Sequence, residues 1–204
     1  MLRVFSTVCK MVLAIIWLPL LLWLFKDQIM GWIRATPTLS AIYDFSYAEI
    51  ANKTALGAGI LQFFANLVFI MFLPKYIMFG YFLKSGMNDH VLLVACSAIG
   101  MFCAMCVNFL FGMCFGFVGR WFWRGSLEKF GSLLSRYGCA LILIGYLFPL
   151  GFPCTLLSFI CGASHFSPRK FLLCTAIGCP VYFAILLSCQ NWLMGIYEKA
   201  NFLF

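Results

Sequence analysis

Few side chains in this sequence could do chemistry, because only 10% of its residues are charged. Lys75 is the first candidate, since it follows Pro74 inside a long apolar segment. If that segment enters a bilayer, a cation at its centre costs roughly 2.5–3.5 kcal/mol unless a partner compensates it. An anionic headgroup could be that partner. The alternative is that the Lys75 side chain extends to a membrane interface from a shallow position.

Asn108 is the second candidate. It lies in the apolar run 91–119, on a stripe of small residues spaced by four, which places them on one helix face. The other members of the stripe are Gly100, Ala104, Gly112 and Gly116. Such glycines are explained by close helix packing. A lone amide at membrane depth, however, needs a hydrogen-bond partner, and we expect Asn108 to bond to exposed backbone in the protein interior.

The eleven cysteines invite a metal or disulfide interpretation. Cys103 and Cys106 have C-x-x-C spacing, but they lie in an apolar run with no second pair and no nearby histidine. Cysteine as a small buried hydrophobe explains them better. His90 and His165 also lack carboxylate or cysteine companions in the sequence. We therefore predict no metal, no cofactor and no catalytic residues, and an enzyme is the least favoured class.

Composition places the chain in a membrane. It is 64% hydrophobic, and its mean hydropathy is +1.01, which no soluble fold needs. Its 204 residues are enough for one domain. The net charge of +8 sets orientation and contacts anionic lipids. Because the charges are scattered between apolar runs, we predict no nucleic-acid binding.

Two apolar segments are interrupted by helix breakers, the first at Pro74. The second interruption comprises Pro149, Gly151 and Pro153. Each break is followed 12 or 13 residues later by a glycine, Gly86 and Gly162 respectively. Backbone groups freed by a break in a bilayer must be buried in protein or face a watery cavity. A matched pair of interrupted segments points to a transport site between repeats.

These features predict an all-α integral membrane protein with four parts. Residues 1–53 contain an uncleaved N-terminal membrane helix and a polar loop with at most one short interfacial helix. Residues 54–119 form a first repeat of a re-entrant hairpin and a transmembrane helix. Residues 120–137 form a basic amphipathic linker on the membrane surface. Residues 138–204 form the second repeat.

The last helix is predicted to start with Ser167 as its N-cap and Pro168 in its first turn, and to run to about Gly195. A cytoplasmic N-terminus then makes the two hairpins enter from opposite faces. It places eight lysines and arginines in the cytoplasm: Arg3, Lys10, Arg120, Arg124, Lys129, Arg136, Arg169 and Lys170. It places four outside: Lys26, Arg34, Lys53 and Lys199. This bias agrees with the positive-inside rule.

The sequence resembles the DedA family, also called the VTT or SNARE-associated Golgi protein family, and most nearly its short bacterial subgroup. The resemblance covers roughly residues 60–195. In the first half it rests on Ser85-Gly86, Ala98-Ile99-Gly100 and Asn108-Phe109-Leu110-Phe111-Gly112. In the second half it rests on Arg136-Tyr137-Gly138, the Pro149 hairpin, Gly162-Ala163 and Gly178.

The resemblance implies opposed re-entrant hairpins, a location in the bacterial inner membrane, and movement of lipids between leaflets. Bacterial members are linked to recycling of undecaprenyl phosphate, and eukaryotic relatives scramble phospholipids. Many members carry an acidic residue in the first hairpin and an arginine in the second. This chain has Lys75 after the first proline and no charge around Pro149. The family's usual proton-coupling scheme is therefore not expected to transfer directly.

The first functional hypothesis is a lipid translocase for a polyprenyl phosphate or a phospholipid. Its headgroup groove would comprise Pro74, Lys75, Asn108, Pro149, Gly151 and Pro153. Five glycines would have structural roles: Gly86, Gly100, Gly112, Gly162 and Gly178. The alternatives are a non-transporting membrane scaffold or assembly factor, and an ion-coupled small-solute transporter. The expected partners are membrane lipids, and the sequence leaves open whether the chain forms a homo-oligomer.

Overall fold

The computed structural model describes residues 24–67, 75–84, 89–147, 152–191 and 195, and these contain helices and turns without a strand. The predicted first membrane helix lies outside the described residues. So do Pro74, Gly86, Pro149 and Gly151, and with them part of each predicted hairpin tip.

The polar stretch after residue 25 is helical, so the prediction of a loop with at most one short helix was wrong. Helix α1 spans Lys26–Ala35, and helix α2 spans Pro37–Ala51. The first helix ends at Ala35, just before Pro37, and Pro37 starts the second. Proline suits the first turn of a helix because its missing N–H would have no intrahelical acceptor there. Neither helix contains a buried residue.

The first predicted hairpin consists of two helices, α3 (Ala55–Ala65) and α4 (Lys75–Lys84). Thr54 caps α3, because its hydroxyl accepts a hydrogen bond of 2.9 Å from the N–H of Gly57. The ammonium group of Lys53 lies 5.0 Å from the ring centroid of Tyr81. This contact places the start of α3 beside the last turns of α4, so the two helices return in opposite directions. Helix α3 ends at Ala65, earlier than the predicted break near Pro74.

The hairpin predicts that both of its ends lie on the same side of the membrane. In a background without other cysteines, Lys53→Cys and Lys84→Cys, at the exposed ends of the two arms, should react with an impermeant thiol reagent from the same side. His90→Cys and native Cys114 mark the two ends of the following apolar helix segment, so this control pair should react from opposite sides. Labelling of positions 53 and 84 from opposite sides would contradict the re-entrant arrangement.

Helix α5 runs without interruption from His90 to Leu147, a length of 58 residues. Asp89 begins it by accepting a 2.9 Å hydrogen bond from the N–H of Leu92. No helix therefore ends at residue 119 or residue 137, where the sequence was predicted to change from a transmembrane helix to a linker and from the linker to the second repeat. Residues 120–137 continue the helix because they contain no proline and only two glycines.

Helix α5 is nevertheless not straight. A Cβ atom on Gly116 would lie 2.9 Å from the Cα of Ala163, and one on Gly138 would lie 2.5 Å from the ring of Phe166. A straight helix would separate Gly116 from Gly138 by about 33 Å, whereas Ala163 and Phe166 are three residues apart. Helix α5 must therefore bend between Gly116 and Gly138, a stretch that contains the segment predicted to be a separate linker.

The C-terminal part of α5 and helix α6 (Phe152–Ala163) form a second helical hairpin. The thiol of Cys154 donates a 2.9 Å hydrogen bond to the carbonyl of Gly145. Gly138, further back along α5, lies against Phe166, further on in the chain. These paired contacts show that the two arms run antiparallel. The predicted division into arms around residues 149–153 therefore agrees with the structure, although re-entry into a bilayer stays a prediction.

Helix α7 spans Pro168–Ser188, with Ser167 at the N-cap and Pro168 in the first turn, as predicted. It ends earlier than the predicted Gly195. Within the described residues, the segments His90–Cys114 and Pro168–Ser188 are long and apolar enough to cross a membrane. We call them span 1 and span 2. The ring of Phe109 in span 1 stacks on Phe171 in span 2 at 4.5 Å.

The two spans are antiparallel. Phe109 is late in span 1 and Phe171 is early in span 2, whereas the early residues Val94 and Ala98 share a groove with the later residue Pro180. Their buried faces also match at a constant offset of 78 residues, as from Leu93 to Phe171. The matching pairs, all at most 1% exposed, are Leu93 and Phe171, Ser97 and Thr175, Met101 and Cys179, Ala104 and Tyr182, Met105 and Phe183, and Asn108 and Leu186. Antiparallel spans with the same buried pattern are what an inverted repeat requires.

Candidate polar site in the helical interior

Three buried amides lie together where the first hairpin contacts span 1: Gln62, Asn66 and Asn108. We call them the amide cluster. The side-chain nitrogen of Asn108 donates a 2.8 Å hydrogen bond to the backbone carbonyl of Asn66. The side-chain nitrogen of Asn66 lies 2.7 Å from the carbonyl of Gln62 and 3.2 Å from its Oε1 atom. The cluster therefore joins a hairpin arm to a span through polar contacts.

The end of α3 explains why amides are needed here. Asn66 is the C-cap of that helix, and the last carbonyls of a helix have no intrahelical donors. Asn108 supplies a donor to one of them from span 1. The hydrogen bond predicted between Asn108 and hairpin backbone is thus present. Asn108 reaches this carbonyl because α3 runs parallel to span 1. Gly59, earlier in α3, lies against Gly100, and Asn66, at the end of α3, lies against Asn108 further along span 1.

The structure predicts that Asn108 holds the first hairpin on span 1. Asn108→Leu has a similar size but leaves the Asn66 carbonyl without this donor. An unsatisfied buried polar group costs about 1–3 kcal/mol, so we expect the melting temperature in detergent to fall by several degrees. Asn52→Leu, at the exposed C-cap of α2, is the control. Equal melting temperatures for the two variants would contradict this role.

Asn66 also carries an unpaired atom. Its Oδ1 atom is buried and has no hydrogen-bond partner within the described part of the chain. Both of the N–H groups on the same side chain have acceptors within reach, namely the carbonyl and Oε1 of Gln62. The side chain therefore presents an acceptor, not a donor, to the protein interior.

The second half has hydroxyl groups in its interior where the first half has amides. The hydroxyl of Ser158 donates a 2.7 Å hydrogen bond to the carbonyl of Thr155 in α6. Thr175 in span 2 is buried, and Leu186 takes the place that Asn108 has in span 1. The polar interior is therefore asymmetric, with its strongest hydrogen-bonding groups at the first hairpin.

The structure describes the predicted headgroup residues unevenly. Lys75 is the first residue of α4, so its backbone lies at a helix N-terminus. Pro153 lies in the first turn of α6, while Pro74, Pro149 and Gly151 are outside the described residues. Only Asn108 has a described side-chain contact. A headgroup site shared by these residues therefore stays a prediction.

The predicted glycines that the structure describes lie at very close helix contacts. A Cβ atom on Gly100 would lie 2.0 Å from the carbonyl oxygen of Gly59. A Cβ atom on Gly112 would lie 2.1 Å from the carbonyl oxygen of Phe159, and one on Gly162 would lie 2.0 Å from that of Phe109. A Cβ atom on Gly178 would lie 2.2 Å from the ring of Tyr146. These distances leave no room for a side chain, so the glycines allow the hairpin helices to approach the spans.

Gln62 and Asn66 were not among the residues predicted to be functional from the sequence. Their spacing contained the signal, because two amides four residues apart lie on one face of a helix. That face is otherwise formed by small buried residues, Ala55, Ala58 and Gly59. Two amides on the buried face of an apolar helix, directly before a break, could have identified the cluster.

Two apolar grooves flank span 1. The first, of about 340 Å³, lies between α3 and span 1 and is lined by residues that include Ile60, Phe63 and Cys103. The second, of about 430 Å³, lies between the two spans. Ile99 lines both grooves and is itself exposed. Both grooves therefore open on the apolar outer surface of the helices.

Paired helical hairpins, two apolar spans and apolar grooves define a class, the helical membrane proteins built from two halves. Residues 61–190 match the VTT domain, which is well over half of the chain. The protein therefore belongs to the VTT-domain, or DedA, family, whose members are membrane-associated and generally linked to lipid or transport roles. Comparisons with curated proteins and with solved structures gave no match.

Proposed function

We propose that this protein moves a membrane lipid between leaflets, with a lipid phosphate or a phospholipid as substrate. The observation that carries the proposal is the combination of apolar grooves open at the surface with a buried polar interior beside the same span. The groove between α3 and span 1 is lined by Gly59 and Gly100, and the amide cluster contacts the same two helices further along. A lipid has the same two-part character, an apolar chain and a polar head.

In this mechanism the hydrocarbon chain stays in a groove while the headgroup crosses past the hairpin breaks. The N-terminus of α4 carries partial positive charge, because the first N–H groups of a helix lack intrahelical acceptors. Lys75 begins that helix and adds a full positive charge. The two together favour an anionic group at the first hairpin. Membership of a family linked to lipid or transport roles supports the same proposal.

Reconstitution of the purified full chain into vesicles tests the proposal. Vesicles contain a phospholipid or a lipid phosphate with a fluorescent label, and a membrane-impermeant reductant is added outside. A translocase makes inner-leaflet label accessible to the reductant, whereas a scaffold leaves it protected. A trapped water-soluble dye must stay protected in the same vesicles, which excludes leakage. Protection of the inner leaflet for both lipids would contradict the proposal.

A further inference from the structure

The unpaired oxygen of Asn66 points to a ligand of a particular charge. Both N–H groups of this amide lie against oxygens of Gln62, while its own Oδ1 atom is buried without a described partner. A buried acceptor without a donor costs about 1–3 kcal/mol. A phosphate oxygen would be repelled at this position, because it too is an acceptor. The oxygen requires a donor or a cation.

The end of α3 at Asn66 favours positive charge, in contrast to the N-terminus of α4 at Lys75, which favours an anion. Asn66 caps the C-terminus of α3, and the C-terminal end of a helix carries partial negative charge. In membrane transporters, the C-terminal ends of broken helices and the nearby carbonyls coordinate monovalent cations. Asn108 brings a second carboxamide to this point, since its nitrogen lies 2.8 Å from the Asn66 carbonyl. The groups that meet here are therefore uncharged amides at a negative helix end. The Asn108 nitrogen satisfies the Asn66 carbonyl, and Asn66 Oδ1 is the oxygen that has no donor within the described part of the chain.

We propose that the amide cluster binds a monovalent cation of the sodium type, with Asn66 Oδ1 as a ligand. Hard oxygen ligands suit such ions. The sequence from residue 50 to residue 88 contains no aspartate or glutamate, and neither does the sequence from residue 90 to residue 127. Calcium sites depend on carboxylates to balance the double charge, so the neutral cluster selects a single charge.

Cation binding here would fasten the first hairpin to span 1, because the cluster includes residues of both. The bound ion would stabilise the fold by an amount that grows with the logarithm of the sodium concentration once that concentration exceeds the dissociation constant. The site goes beyond the proposed lipid movement and does not depend on it. A protein that moves no lipid could still bind sodium, and a lipid translocase could lack the site.

The first test uses the purified full chain in detergent, with sodium chloride replaced by choline chloride at constant ionic strength. Sodium at about 100 times its dissociation constant should raise the melting temperature by about 5–10 °C, and the melting temperature should rise with the logarithm of the sodium concentration above the dissociation constant. Retention of radioactive sodium in equilibrium dialysis measures the same binding directly. Equal melting temperatures in sodium and choline, together with no retained sodium, would overturn the proposal.

Two variants locate the site. Asn66→Leu removes the ligand oxygen, and sodium affinity should fall at least tenfold. Asn52→Ala is the matched control, because Asn52 is also a helix C-cap but is exposed. Its sodium response should stay that of the original chain. If Asn66→Leu does not fold, the comparison of sodium with choline on the original chain still tests whether the protein binds sodium. A full sodium response in folded Asn66→Leu, or a water molecule without ion dependence at this position, would refute the assignment.

Discussion

Gly162→Ala is expected to destabilise the protein more than any other single-methyl change considered. A Cβ atom at this position would lie 2.0 Å from the carbonyl oxygen of Phe109 and 3.0 Å from the backbone nitrogen of Met113. Both are backbone atoms of α5, so no side chain can rotate away. Helices α5 and α6 would have to separate by roughly 1 Å. This contact packs the second hairpin against span 1. Overpacking of this kind costs about 3 kcal/mol.

The measurement is the melting temperature in detergent, which should fall by about 6–12 °C. Two other glycines give graded controls. A Cβ atom on Gly31 meets nothing within 4 Å, and one on Gly145 meets only side-chain atoms at 3.6 and 3.9 Å. Gly31→Ala should be neutral or slightly stabilising, because alanine favours helix, and Gly145→Ala should be tolerated. A Gly162→Ala variant as stable as Gly31→Ala would show that the helices are not in close contact.

The sequence predicted the elements whose signal is local. Apolar runs predicted both spans, Ser167 and Pro168 predicted the start of α7, and the uncharged run 91–119 required a partner for Asn108. The errors arose where a local signal has two interpretations. The sequence Thr36-Pro37-Thr38 can end a helix or begin one. In the structure α1 ends just before it and α2 begins at Pro37. The polar character of residues 26–53 then indicated a loop, although exposed helices are polar as well.

Tertiary contacts could not be predicted from local pattern. The bend in α5 is visible only because Gly116 and Gly138 contact residues that are near one another. The amide cluster requires knowledge that α3 runs parallel to span 1, since Gln62 and Asn66 are 42 or more residues from Asn108 in the chain. The matched proline breaks and apolar runs predicted the pairing of hairpins with spans, and the resemblance to a family implied the same opposed hairpins. The resemblance did not predict the amides, because this chain departs from the charge pattern that many members carry.

Lys75→Gln is expected to reduce transport of a lipid phosphate about tenfold or more in the vesicle assay. The side chain keeps a polar end and useful length but loses its charge. A hydrogen bond to a charged group contributes about 1.5–3 kcal/mol, and each 1.4 kcal/mol changes a rate tenfold. Expression and melting temperature should change little, since the predicted role is contact with substrate rather than packing.

Two further variants separate charge at Lys75 from charge elsewhere on the hairpin. Lys75→Arg should keep part of the activity, because the charge remains while the shape and hydration of the cation change. Lys84→Gln is the matched control, since Lys84 is an exposed lysine at the opposite end of the same helix, and it should transport normally. The contrast depends on position, because only the N-terminal end of α4 adds its own positive partial charge to that of the lysine. Full transport by Lys75→Gln at normal protein levels would show that Lys75 only extends to the membrane interface, and the anion would then have to be held by backbone N–H groups alone.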